Sequence, residues 1–147
     1  MRNSEQILKI LDEQVRSYSR LYELLKGEKE AIVSFDPPSV EALAKEKDSL
    51  VLQLRLLEEE RKRLVDAFFG DEKGGRSISD LHAVTGDKRF LELRSRLLSL
   101  LQGIGELNEL NRLLIERASL HLRASSAFFQ SIGMDTASPS HAVSREA

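Results

Sequence analysis

The 147-residue chain has no cysteine, no tryptophan, three prolines, and only six Phe and two Tyr for aromatics. Without cysteine there is no disulfide framework, no thiolate nucleophile and no thiolate metal ligand. An excess of one charge sign is also missing, with 22 Lys and Arg against 24 Asp and Glu for a net charge of -2. Such a balance offers no basic surplus to hold nucleic acid or an acidic membrane. No apolar run approaches the roughly 20 residues that span a bilayer. The N-terminal MRNSEQILKILDEQ carries a charge every few residues and is no secretory signal, so a cytoplasmic protein without membrane insertion is expected.

What remains is charge, 31% of residues, and a leucine-rich 41% of hydrophobic positions. With so few aromatics this composition points to an all-α fold of long helices or a coiled coil, and the length favours one domain. Leu8, Leu11, Val15, Tyr18, Tyr22, Leu25, Lys29 and Ile32 follow each other in steps of three and four, the spacing of a helix seam. Asn3 and Gln6 have capping-box spacing, which predicts a helix over about 4–35. FDPPSVEA interrupts it; Asp36 or Ser39 can cap the next helix, with the prolines held to its first turn. Leu43, Lys47, Leu50, Leu54, Leu57, Arg61, Leu64 and Phe68 then mark a helix over 39–69, and the short connection makes the two antiparallel.

The glycine-rich GDEKGGRSIS forms a loop, followed by a short helical turn around SDLHAV. A third long helix over 87–132 shows the line Phe90, Arg94, Leu97, Leu101, Ile104, Asn108, Asn111, Ile115, Ala118, Leu122, Ser125, Phe129 and Ile132. At about 1.5 Å per residue it is roughly 20 Å longer than the first. The expected architecture is an antiparallel, coiled-coil-like bundle of three main helices in one domain over 1–132, with 133–147 as a small, polar, disordered tail.

Chemistry finds little footing. His82, His121 and His141 are scattered, with no metal-ligand spacing among them. Glu58, Glu59 and Glu60 meet Lys62 and Arg63 on the same helix and form a solvated, salt-bridged face rather than an acid–base pair. GDEKGG lacks the Gly-Lys-Ser/Thr ending of a phosphate loop, and Arg61, Lys62 and Arg63 have no interleaved aromatics. No enzyme, no metal, no cofactor and no nucleic-acid partner is expected.

The informative residues are polar ones on the seams: Lys47, Arg61, Arg94, Asn108 and Asn111. A buried Asn at such a place can fix helix register at some cost in stability; exposed, the Asn pair can instead serve recognition. Gly103 and Gly105 just upstream fit either a kink or close helix packing. From residue 107 onward apolar residues fill the seam and a flanking stripe, wider than one antiparallel neighbour requires. Either a fold-back buries this excess or a partner does. The candidate binding surface comprises Leu107, Asn108, Leu110, Asn111, Leu114, Ile115, Ala118, Leu122, Phe128, Phe129 and Ile132.

Taken together, YELLKGEKEAI in the first helix, EALAKEKDSLVLQLRLLEEERKRLV in the second, the glycine-containing middle and NELNRLLIE in the last resemble the FlgN family of flagellar export chaperones. The resemblance covers nearly all of residues 4–132, and Lys47, the LEEER ending at Arg61 and the Asn108/Asn111 pair fall where that family's pattern has them. It implies a non-enzymatic cytoplasmic chaperone that holds the hook-associated proteins of the hook–filament junction before type III export. In that family the end of the last helix binds the amphipathic C-terminal helix of the cargo, which maps onto residues 106–132. The resemblance extends the partners to export gate or export ATPase components. Family members dock on the gate through a C-terminal tyrosine; the only tyrosines here are Tyr18 and Tyr22, so docking through the last segment would need another residue such as Phe128 or Phe129. A coiled-coil scaffold or homo-oligomerising adaptor, or a four-helix regulatory module, would explain the seams without cargo.

Overall fold

The computed structural model describes residues 2–70 and 74–133, so the expected tail beyond Gly133 lies outside the described residues. Four helices follow in order: α1 Arg2–Val33, α2 Pro37–Phe69, α3 Ile78–Thr85 and α4 Arg89–Ser131, with no strand among the described residues. The short helical turn expected between the second and third long helices is the two-turn α3. By internal contacts the chain divides into two compact units, Met1–Asn111 and Arg112–Ala147.

Local chemistry sets the helix ends. α1 is already helical at Arg2 and Asn3, ahead of the start expected near residue 4, and Ser4 is buried inside the helix. Its C-terminus closes in a paired turn: the Phe35 N–H donates to the Ile32 carbonyl (3.1 Å) and the Asp36 N–H to the Ala31 carbonyl (2.9 Å). That turn needs a left-handed residue, and Phe35 supplies it at φ 55°, where glycine is usual. Asp36 then caps α2, its carboxylate accepting from the Ser39 N–H, with Pro37 and Pro38 in the first turn where no intrahelical N–H is needed. Gly70, left-handed at φ 65°, ends α2. A reciprocal capping box between Ser77 and Asp80 opens α3, and left-handed Gly86 closes it.

In the first unit α1 runs through the middle of the packing. One cluster joins Ile7, Leu8, Leu11 and Val15 to Val65 of α2, Leu81 of α3, and Phe90, Leu93 and Leu97 of α4. A second joins Leu21 and Leu25 to Leu50 and Leu54 of α2 and Ile104 of α4. Gln14 meets Glu58 and Glu28 meets Lys47, so α1 and α2 are antiparallel, as their short connection requires. By contrast α1 and α4 run parallel: Arg89 bonds Glu5, and Asn111 bonds Leu25 and Glu28, at separations of 84, 86 and 83 residues. A near-constant offset is possible only for helices pointing the same way.

Two corrections to the seams follow. On α1 the buried positions include a second line, Ser4, Ile7, Leu11, Gln14, Leu21, Leu25, Glu28 and Ile32, which shares Leu11, Leu25 and Ile32 with the expected one. On α4 the inward line is Phe90, Leu93, Leu97, Leu100, Ile104, Leu107 and Asn111, all buried or half-buried, whereas Arg94, Leu101 and Asn108 of the expected line are exposed. The two α4 lines share every second member, and desolvation decides between them, because one alternative buries leucines and the other an arginine and an amide. Helix α4 passes through Gly103 and Gly105 without a break. A Cβ on Gly103 would lie 2.9 Å from Cε1 of Tyr22, so this glycine serves close packing; a Cβ on Gly105 would meet nothing within 4 Å.

Candidate functional site

Asn111 is the last buried residue of α4, 2% exposed. Its Nδ2 donates to the Leu25 carbonyl and to Oε1 of Glu28, both at 3.0 Å. Glu28 is itself buried and is held from the other side by Lys47 Nζ at 3.1 Å. One buried carboxylate therefore collects a cation from α2 and an amide from α4 while sitting on α1. Such a network is satisfied in one register only, because sliding any helix by a turn strands a buried charge. Asn111 Oδ1 is buried with no partner of its own. Of the Asn pair, Asn111 is thus a register element inside the bundle, and Asn108 is the exposed member.

A similar arrangement occupies the other half of the α1–α2 interface. Buried Gln14 donates to Oε1 of Glu58 at 3.0 Å, and Arg61 clamps the same carboxylate with Nε at 2.7 Å and Nη2 at 2.6 Å. The Arg61 hydrogen bonds hold the Glu58 carboxyl below its ordinary range in spite of partial burial, and burial together with the Glu58 charge pushes the Tyr18 hydroxyl up. Glu58 is therefore not merely part of a solvated acidic run; Glu60, paired with Arg63, is. Gln14 and Glu28 were missed from sequence, although the seven-residue spacing of Ile7, Gln14, Leu21 and Glu28 carried the signal.

In the second unit the helical residues from Arg112 onward include no buried side chain among those described. Leu113, Ile115, Leu120, Leu122, Phe128, Phe129 and Ile132 are all exposed, from 39% at Phe129 to 60% at Leu122. Ile115, Ala118, Leu122, Ser125 and Phe129 succeed one another in steps of three and four, so they lie along one side of the helix, and Ile132 follows in the turn at its end. Leu114 and Phe128 flank that line, and the Phe128 and Phe129 rings meet edge-on with centroids 5.8 Å apart. Leu114 and Ala118 are half-buried. In the first unit, Leu107 packs on the second core cluster and Leu110 is 40% exposed. The eleven candidate residues thus divide: Leu107 and Asn111 serve the bundle, and the remainder are exposed or half-buried.

Among the described residues no group of His, Cys, Asp and Glu could hold a metal ion, and no helix is long and apolar enough to cross a membrane. What the second unit offers is an exposed apolar helical surface. No curated protein and no solved structure matches the chain. The model of the FlgN protein family matches residues 1–138. With nearly its whole length inside that match, the chain belongs to the FlgN family, and its general role is that of a flagellar export chaperone.

Proposed function

We propose that the protein is a cargo chaperone that binds the amphipathic C-terminal helices of hook-associated proteins on the apolar side of residues 112–132 and so keeps them competent for export. The observation that supports this most is the second unit's helix, which carries six large exposed hydrophobic side chains and no buried one among the described residues. A helix with this much uncovered apolar surface is a standing recognition face, read by a partner through anchors at three- and four-residue spacing. Burying one Phe or Leu side chain contributes about 1.5–3 kcal/mol, so Leu114, Leu122, Phe128 and Phe129 are the anchors whose joint burial would drive binding. Asn108, exposed one turn before the second unit begins, can bond a polar group at the end of the cargo helix.

The test is Phe129→Asp and Leu122→Asp, assayed with a peptide of the C-terminal segment of a hook-associated protein. Neither side chain belongs to either core cluster, so thermal melting should stay within a few degrees of wild type while affinity falls at least about tenfold. Unfolding of both variants, or unaltered binding by both, would refute the assignment. Self-association lost in the same variants would move the reading to a homo-oligomeric scaffold.

A further inference from the structure

Helix α4 carries a second line within the first unit that no other helix of that unit covers among the described residues. Leu91, Arg94, Leu98, Leu101, Gly105 and Asn108 follow in steps of three, four, three, four and three, and all six are exposed. Leu91, Leu98 and Leu101 are 41%, 51% and 46% exposed, although they hold three of the six positions of a helix-pairing seam. The two glycines sharpen the contrast. Gly103, on the inner side, is explained by Tyr22; Gly105, on this line, costs roughly 1 kcal/mol relative to Ala and relieves no contact among the described residues. A glycine on an interhelical seam lets a second backbone come close, which accounts for it once a partner helix is present.

Charge says what kind of helix. A groove of about 410 Å³ opens beside Arg94, Leu98 and Leu101, between α1, α2 and the segment leading into α3. Its lining pairs its one carboxylate, Glu58, with Arg61 in a bidentate clamp, and Arg94 stands beside them as a further cation. Arg94 is exposed on the α4 wall, between Leu91 and Leu98 of the seam. Tyr18, Leu97 and Ile78 make the interior of the groove largely apolar. An incoming side chain therefore meets an apolar slot with Arg94 at its edge.

We propose that the outer seam of α4, from Leu91 to Gly105, with its adjoining groove, is a second docking surface that takes an acidic amphipathic helix of another protein. Leucine-type residues of that helix pack between Leu91, Leu98 and Leu101, its backbone passes close to Gly105, and carboxylates flanking its apolar stripe lie over Arg94 at the groove edge. This surface lies wholly within the first unit and is distinct from the cargo surface proposed on residues 112–132. A chaperone with two such surfaces can hold cargo on one and be recognised through the other.

The probe is a pair of synthetic three-heptad peptides with leucine at three- and four-residue spacing, one with Glu and one with Lys flanking the apolar stripe, titrated into the full chain at low salt. The expected result is saturable binding of the Glu peptide, at least tenfold weaker binding of the Lys peptide, and amide shifts centred on residues 91–105. Arg94→Glu should reverse the preference, Leu98→Asp should abolish binding, and Phe129→Asp should leave it unchanged; Arg94 and Leu98 are exposed, so both variants should melt like wild type. Equal affinity for the two peptides, no saturation, indifference to Arg94→Glu, or shifts confined to residues 112–132 would overturn the proposal. So would a concentration-dependent dimer that Leu98→Asp dissolves, which would assign the seam to a second copy of this chain.

Discussion

Asn111 shows how much one amide can decide. Its side chain donates to a backbone carbonyl and to the buried Glu28 carboxylate, which in turn holds Lys47. Removing the donor by Asn111→Ala leaves both acceptors short of a partner in a place water reaches poorly. Loss of about 1–3 kcal/mol is expected, read as a lower midpoint in urea with an unchanged slope. Lys47→Met should be costly for the same reason, and the double variant should lose less than the sum of the two, because both act on one carboxylate. Strict additivity would mean that the three side chains do not form one network. The sequence displayed Asn111 plainly but not its destination. An Asn pair three residues apart on a helix marks a side of that helix, and only the neighbour's identity says whether that side faces protein or water.

Among the elements, α4 illustrates what periodicity can and cannot determine. Its existence and approximate span were legible from the three- and four-residue steps, and the breaks before α2 and α3 from Asp-Pro-Pro and the glycine cluster. Its phase was not, because the lines through Arg94, Leu101 and Asn108 and through Leu93, Leu100 and Leu107 share Phe90, Leu97, Ile104 and Asn111. On α1 the second line was hidden by its polar members, Gln14 and Glu28, which read as surface until their partners on α2 and α4 are known. The excess of apolar residues after 107 was legible for the opposite reason, since it exceeds what one neighbour can bury. The paired glycines give an element-level test. Gly103→Ala should destabilise, since its Cβ would sit 2.9 Å from the Tyr22 ring. Gly105→Ala, in open space, should stabilise by up to about 1 kcal/mol. Melting temperatures that move in the same direction for both would contradict the packing described for α4.

At the scale of the whole chain, all buried side chains among the described residues lie between Ser4 and Asn111, within the first compact unit. A chain ending at Ala118 should therefore keep its melting temperature within a few degrees, because two turns beyond Asn111 satisfy the last carbonyls the core depends on. It should also lose cargo binding completely. A large drop in melting temperature would show that the second unit's helix supports the first.

The parallel register of α1 and α4 also governs the order in which a growing chain can close. The α1–α2 hairpin has all its residues once Phe69 has left the ribosome, and its contacts are near in sequence. The other side of α1 must wait for partners more than 80 residues downstream, the last of them Asn111. For that interval Ile7, Leu21 and the Glu28 carboxylate, held by Lys47 alone, stand without α4, in a hairpin with one side dressed and the other bare. Translation that stalls between residues 70 and 110 would leave such a half-built bundle, and the long separation makes this docking the slow part of folding.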